Sequence, residues 1–113
     1  MIKAMMVVRP QRAEVLCQRL SATGWVEDLV AAECRGYGRQ KGHLENYHDA
    51  EYAIDFLPKV EVSGFIALER MDELVELVCA ICRTGRIGDG KIFISTVEEA
   101  IRIRTGEKGE AAI

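Results

Sequence analysis

An α+β domain with elements in the order βαββαβ is predicted by three features of this 113-residue chain. Two segments carry apolar residues at helical spacing, Ala13-Leu16-Cys17-Leu20 and Met71-Leu74-Val75-Val78-Cys82. Each follows a strand-like stretch, one running from Ile2 to Arg9 and one from Val60 to Leu68. Two further short strands are expected near Leu29 to Arg35 and at Lys91 to Ser95, with glycine and proline between the segments.

The first strand is apolar on both faces, through Ala4, Met5, Met6, Val7 and Val8, so both faces need cover. Pro10 stops its ladder and can open the first helix, which Gly24 terminates. Residues 36–58 break every periodic pattern, from Gly36 to Pro58. Unstructured stretches of that length are uncommon inside a small domain and are usually functional or disordered. Within this one Tyr52, Ile54 and Phe56 alternate, so part of it can extend as a ribbon. The third strand places Val60, Val62, Ile66 and Leu68 on one face. The second helix has Asp72 and Glu73 in its first turn and Arg83 in its last, as the helix dipole prefers, and Gly85 closes it. Ile101 to Arg104 reads as one more short strand. The order matches the ferredoxin-like split βαβ arrangement, in which both helices cover one face of the sheet. The other apolar face of the first strand then requires self-association through the sheet. One domain, residues 1–113, is expected.

Composition narrows the function classes. A hydrophobic fraction of 49 % supports a core, and a net charge of −3 argues against a general nucleic-acid binder. No apolar run approaches the roughly 18 residues of a membrane span. A cytoplasmic protein is expected, touching a membrane only through a partner. Cys17, Cys34, Cys79 and Cys82 lack the spacing of a secreted disulfide framework. Cys79 and Cys82 spell C-x-x-C, but they lie in an apolar helical stripe without a second pair or a nearby histidine. They are read as core residues, not as a zinc site.

Chemistry concentrates in three places. Gly85-Arg86-Ile87-Gly88-Asp89-Gly90-Lys91 spells the G-x-x-x-x-G-K of a phosphate loop. It lacks the following Ser or Thr and runs from helix to strand, so it is no Walker ATPase. Its glycines still allow backbone N–H groups to approach an anion, and Lys91 adds a charge. Arg102 and Arg104, two apart on a strand, would project to one face beside each other, an unfavourable pair unless an anion lies between them. Gly36-Tyr37-Gly38-Arg39-Gln40-Lys41-Gly42 again mixes glycines with donors and cations.

Four strings carry a resemblance: Gly38 to Gly42 (GRQKG), Asp55 to Lys59 (DFLPK), Arg83 to Phe93 (RTGRIGDGKIF) and Ile101 to Glu107 (IRIRTGE). Together they resemble the PII nitrogen-regulatory signal transducers over essentially the whole chain. The resemblance implies a homotrimer of ferredoxin-like subunits in which ATP and ADP compete for clefts between subunits. It implies a T-loop of about residues 37–55 that meets partners, an ammonium transporter or nitrogen-assimilation enzymes. By the same resemblance Gly36, Gly38, Arg39, Gln40, Gly88, Asp89, Gly90, Lys91, Arg102 and Arg104 fall on nucleotide positions. Gln40 falls on the position that helps hold Mg2+, and Gln40, Lys41 and Lys59 on the 2-oxoglutarate site. Tyr52 matches a tyrosine that some members carry as a uridylylation site.

Two positions depart from the family pattern. Ser63 stands where a glutamate usually meets the ribose, and Val30 where a threonine commonly lies near the adenine. The stretch between Gly24 and Gly36 is also one residue longer. The function expected is a non-enzymatic sensor of ATP/ADP and 2-oxoglutarate. The alternatives are a ligand-blind or nucleotide-only trimeric scaffold, suggested by those two departures, and a slow nucleotide hydrolase using Asp89 or Glu107.

Overall fold

The computed structural model describes residues 1–36 and 57–113. In chain order these form β1 (Ile2–Val8), α1 (Pro10–Thr23), β2 (Glu27–Gly36), β3 (Leu57–Ile66), α2 (Met71–Cys82) and β4 (Gly90–Thr96). The strands make one antiparallel sheet in the order β2-β3-β1-β4. This is the βαββαβ arrangement expected from the sequence, with β1 central between β3 and β4.

Burial alternates along β1. Ile2, Ala4, Met6 and Val8 are buried, while Lys3, Met5 and Val7 between them are partly exposed. The pairing register sets Met6 opposite Val62 on one side and Ile92 on the other. Ala13, Leu16 and Leu20 of α1 and Leu74, Val78 and Cys82 of α2 close over that face. Fully burying a leucine of this kind is worth about 1.5–3 kcal/mol. Cys82 belongs to this core, as expected, whereas Cys79, also expected there, is only partly buried and lies outside it. Pro10 stands at the start of α1, and Gly24 ends it in the left-handed region at φ 72°, donating its N–H to the Ser21 carbonyl.

The structure corrects several element boundaries. β3 stops at Ile66, and Leu68, expected on its inner face, opens a 3-10 turn (Leu68–Arg70) and is 56 % exposed. The turn is closed by the Arg70 N–H on the Ala67 carbonyl at 3.0 Å. Pro58 lies inside β3, near the end where only β2 pairs with it, a position that tolerates a missing donor. Arg83 caps the end of α2 and is not in its last turn. β2 starts earlier than expected. Between Glu27 opposite Phe65 and Val30 opposite Ser63, β2 advances three residues while β3 advances two. That bulge absorbs one extra residue, with Asp28 at φ 52°.

Ile101 to Arg104 is not a strand. Ile101 makes a single bridge to Lys108, and the chain between them folds back as a tight turn. The Gly106 N–H meets the Arg102 carbonyl at 2.7 Å, and the Arg102 N–H meets the Glu107 carbonyl at 2.9 Å. Gly106, at φ 74°, permits this reversal where alternation alone suggested extension.

The sheet face away from the helices remains partly apolar. Met5, Val7, Phe65 and Phe93 share it by register, and Phe93 is 48 % exposed.

Candidate functional site: a pinned glycine loop at one end of the sheet

Between α2 and β4 the chain turns through Arg83 to Asp89. Gly85, Gly88 and Gly90 all have positive φ. Gly90 is required by contact as well, because a Cβ there would lie 1.8 Å from the Val7 carbonyl oxygen. The loop is therefore pressed against the end of β1.

Asp89 ties the loop together. Its carboxylate accepts the Thr84 N–H at 2.7 Å, the Gly85 N–H at 2.9 Å and the Thr84 hydroxyl. Arg9, just past the end of β1, adds its Nε at 3.3 Å and donates Nη2 to the Ile87 carbonyl at 2.9 Å. The Thr84 hydroxyl, then the Thr84 and Gly85 N–H groups and Arg9, hold the Asp89 carboxyl well below the usual carboxylate range. Its negative charge is thus satisfied by the loop together with Arg9.

Lys59 reaches the same loop from β3. Its Nζ donates to the Gly88 carbonyl, and only 9 % of the residue is exposed. Burial lowers its pKa, Arg9 lowers it further, and Asp89 and Cys34 act in the opposite sense. Gly36 closes β2 beside it, and a Cβ there would meet the Lys59 Cγ at 3.4 Å. A hollow of about 440 Å³ lies next to this point, lined by Pro10, Cys34, Arg35, Pro58 and Lys59 among others.

The site residues expected from sequence therefore divide. Gly36, Lys59, Gly88, Asp89, Gly90 and Lys91 gather at one end of the sheet. Lys91 follows Gly90, lies opposite Val7, is exposed, and makes no ion pair among the described residues. Arg102 and Arg104 do not stand side by side on a strand, as their alternation suggests, because that segment is a turn. Arg102 pairs with Glu107 at 3.4 Å, and among the described residues neither arginine is hydrogen-bonded to the glycine loop. Gly38, Arg39, Gln40, Lys41 and Tyr52 lie outside the described residues. So do residues 37–56 of the aperiodic stretch 36–58, whose two ends belong to β2 and β3.

Val30 and Ser63, the two departures from the family pattern, are direct cross-strand partners. Ser63 also faces Met5 across β1. They form one patch on the open face of the sheet.

Two participants escaped the sequence reading. Arg9 looked like the polar end of a strand, and nothing local tied it to a carboxylate 80 residues away. Thr84 carried a fainter signal, a hydroxyl five residues before an aspartate in a glycine-bounded turn. Among the described residues no group of three or more His, Cys, Asp or Glu side chains is placed to hold a metal. None of the described helices is long and apolar enough to cross a membrane.

Comparison with known proteins agrees with this picture. The family model described as "Nitrogen regulatory protein P-II" matches residues 1–107. The nitrogen regulatory protein GlnK of Escherichia coli (strain K12) is 45 % identical over 107 residues, covering 95 % of each chain. The nitrogen regulatory protein P-II of Cereibacter sphaeroides is 48 % identical over 107 residues, again 95 % of each. That of Rhodobacter capsulatus is 44 % identical over 113 residues, 100 % of each. A crystal structure of Arabidopsis thaliana PII bound to citrate superposes with a TM-score of 0.75 at 29 % identity, over 99 % of this chain and 91 % of that one. On this sequence match and this fold, the chain belongs to the P-II family of nitrogen regulatory proteins.

Proposed function

We propose that this P-II protein is a cytoplasmic, single-domain, non-enzymatic signal transducer that binds ATP or ADP and 2-oxoglutarate and reports them to partner proteins through residues 37–55. One observation carries the reading. The Thr84–Asp89 loop, together with Arg9, satisfies its own carboxylate and then presents Lys91 without a partner among the described residues. A glycine-bounded loop beside a lysine that makes no ion pair among the described residues is suited to a polyphosphate. Gly88, Asp89, Gly90 and Lys91 are assigned to the phosphates in this reading.

Arg102 and Arg104 are assigned to the same ligand from a neighbouring subunit. Among the described residues neither arginine hydrogen-bonds to the glycine loop of its own chain, and a cleft between subunits would bring the two halves together. The partly apolar sheet face, with Phe93 and Met5, supports assembly, and the family resemblance implies a trimer. Gly36, Gly38, Arg39 and Gln40 would complete the nucleotide site, with Gln40 and phosphate oxygens holding Mg2+. Lys59, with Gln40 and Lys41, would take the carboxylates of 2-oxoglutarate. The described part of this set fits such a ligand: Lys59 is a buried cation whose Nζ is held by a neutral carbonyl oxygen. That a PII relative was solved with citrate supports a carboxylate ligand in this family. Candidate partners are an ammonium transporter or nitrogen-assimilation enzymes, and Tyr52 is a candidate modification site.

A second reading has its own observation. Val30 and Ser63 are cross-strand partners, and by the family resemblance they stand where polar contacts to the nucleoside would be. A nucleotide-only or ligand-blind trimeric scaffold would follow if that loss is decisive. Calorimetry with ATP separates the two. Lys91→Ala is expected to weaken ATP by roughly 10- to 150-fold, the worth of a charge-assisted hydrogen bond, and to leave adenosine unaffected. Equal ATP affinity in parent and variant would contradict the assignment, and no ATP binding by the parent would favour the scaffold.

A further inference from the structure

The C-x-x-C of α2 has no part in the anion site, yet its placement is particular. Cys79 and Cys82 both belong to the last turn of α2. Three helical steps raise a residue by about 4.5 Å and rotate it by about 300°, which sets the two α-carbons about 5 Å apart on one flank. Disulfides span α-carbons roughly 4.4–6.8 Å apart. Both cysteines line one hollow of about 300 Å³, together with Val8, Arg83, Asp89 and Lys91. Cys82 is buried and Cys79 only partly so. Burial pushes the Cys82 thiol up, Arg12 pulls it down, and Cys79 and Asp89 add smaller upward pushes. The two thiols thus adjoin one hollow, Cys79 partly exposed and Cys82 buried.

We propose that Cys79 and Cys82 are a dithiol modification site at which a hydroperoxide forms an intrahelical disulfide that loosens the Asp89 loop. Cys79 attacks the peroxide, breaks its O–O bond and becomes a sulfenic acid, releasing water when the oxidant is hydrogen peroxide. The Cys82 sulfur then displaces the hydroxyl, which leaves with the Cys82 proton as a second water. Two thiols lose two electrons, and the peroxide gains them. Intracellular disulfides of this kind are usually transient and redox-sensing.

The link to the loop is mechanical. Side chains three apart on a helix have β-carbons about 5–6 Å apart, whereas a disulfide draws them to roughly 3.5–4.5 Å. The last turn must tighten. That turn is closed by the Arg83 N–H on the Cys79 carbonyl at 3.0 Å. The next two N–H groups, of Thr84 and Gly85, are those that hold Asp89. Tightening therefore pulls on the donors of the carboxylate that organises the loop.

The test uses the full chain, reduced and then treated with a small excess of hydrogen peroxide. Intact mass should fall by two hydrogens, and peptide mapping should join Cys79 to Cys82 while Cys17 and Cys34 stay alkylatable. Hydrogen exchange at the Thr84 and Gly85 amides should accelerate and recover with dithiothreitol. Cys79→Ser should fold, exchange like the reduced parent and ignore the oxidant. The effect on ATP, a loss of about tenfold, rests on the nucleotide reading given above. If the reduced protein binds no ATP, that reading fails and the exchange measurement still decides the disulfide. Independent alkylation of Cys79 and Cys82 after peroxide, unchanged exchange once they are joined, or a peroxide response in Cys79→Ser would each overturn the proposal.

Discussion

At the scale of single residues, Asp89 and Gly90 set the shape of the site. Asp89 is held ionised by Thr84, Gly85 and Arg9, so its folded pKa lies below the ordinary value. A carboxylate depressed in this way contributes stability above its unfolded pKa of about 3.9 and loses it as pH falls below that point. Denaturation midpoints should therefore be level from neutral pH to about pH 5 and fall below about pH 4, with the acid-side fall shallower in Asp89→Asn. An identical acid profile in that variant would remove Asp89 from the account. Gly90 leaves no space for a side chain, since a Cβ would overlap the Val7 carbonyl. Gly90→Ala is expected to cost about 1–3 kcal/mol or more in urea unfolding, as steric strain in a packed site does. The loop itself was legible in the string Gly85 to Lys91, because glycine spacing and a terminal lysine are local signals. Arg9 was not, because its role exists only once β1 and the loop are folded together.

At the scale of elements, periodicity identified both helices and the four strands, since each buries one face with a regular spacing. It misplaced the start of β2 and misread two further segments. Leu68 continued the alternation on paper but follows Ala67 into a 3-10 turn, and Ile101 to Arg104 alternated without forming a ladder. In both cases backbone hydrogen bonds to nearby carbonyls won over extension. The bulge in β2 shows a different limit. The bulge at Glu27 to Val30 depends on the β3 register, which the local spacing between Gly24 and Gly36 does not reveal. That register makes Val30 and Ser63 a pair. Val30→Thr with Ser63→Glu should raise ATP affinity more than the two single changes add up to, by about 0.5–3 kcal/mol of coupling. A strictly additive result in a double-mutant cycle would separate these positions from a shared nucleoside contact.

The whole molecule has a sheet with one face closed by helices and one partly apolar face that carries Phe93, Phe65 and Met5. Light scattering at micromolar concentration should give a particle near three times the 12.6 kDa chain mass. A monodisperse monomer would leave the Arg102 and Arg104 turn without the neighbouring loop assigned to it. On the proposed function, one assembly couples nucleotide and 2-oxoglutarate. Gln40 and phosphate oxygens would share a magnesium ion that 2-oxoglutarate also chelates, and Lys59 would hold its far carboxylate. Linkage then requires each ligand to tighten the other by the same factor. Calorimetric titration of 2-oxoglutarate into the protein, with and without Mg-ATP, tests this most directly. The expected result is binding with Mg-ATP present, little with ADP, and none without nucleotide; 2-oxoglutarate binding equally well to the nucleotide-free protein would contradict the account.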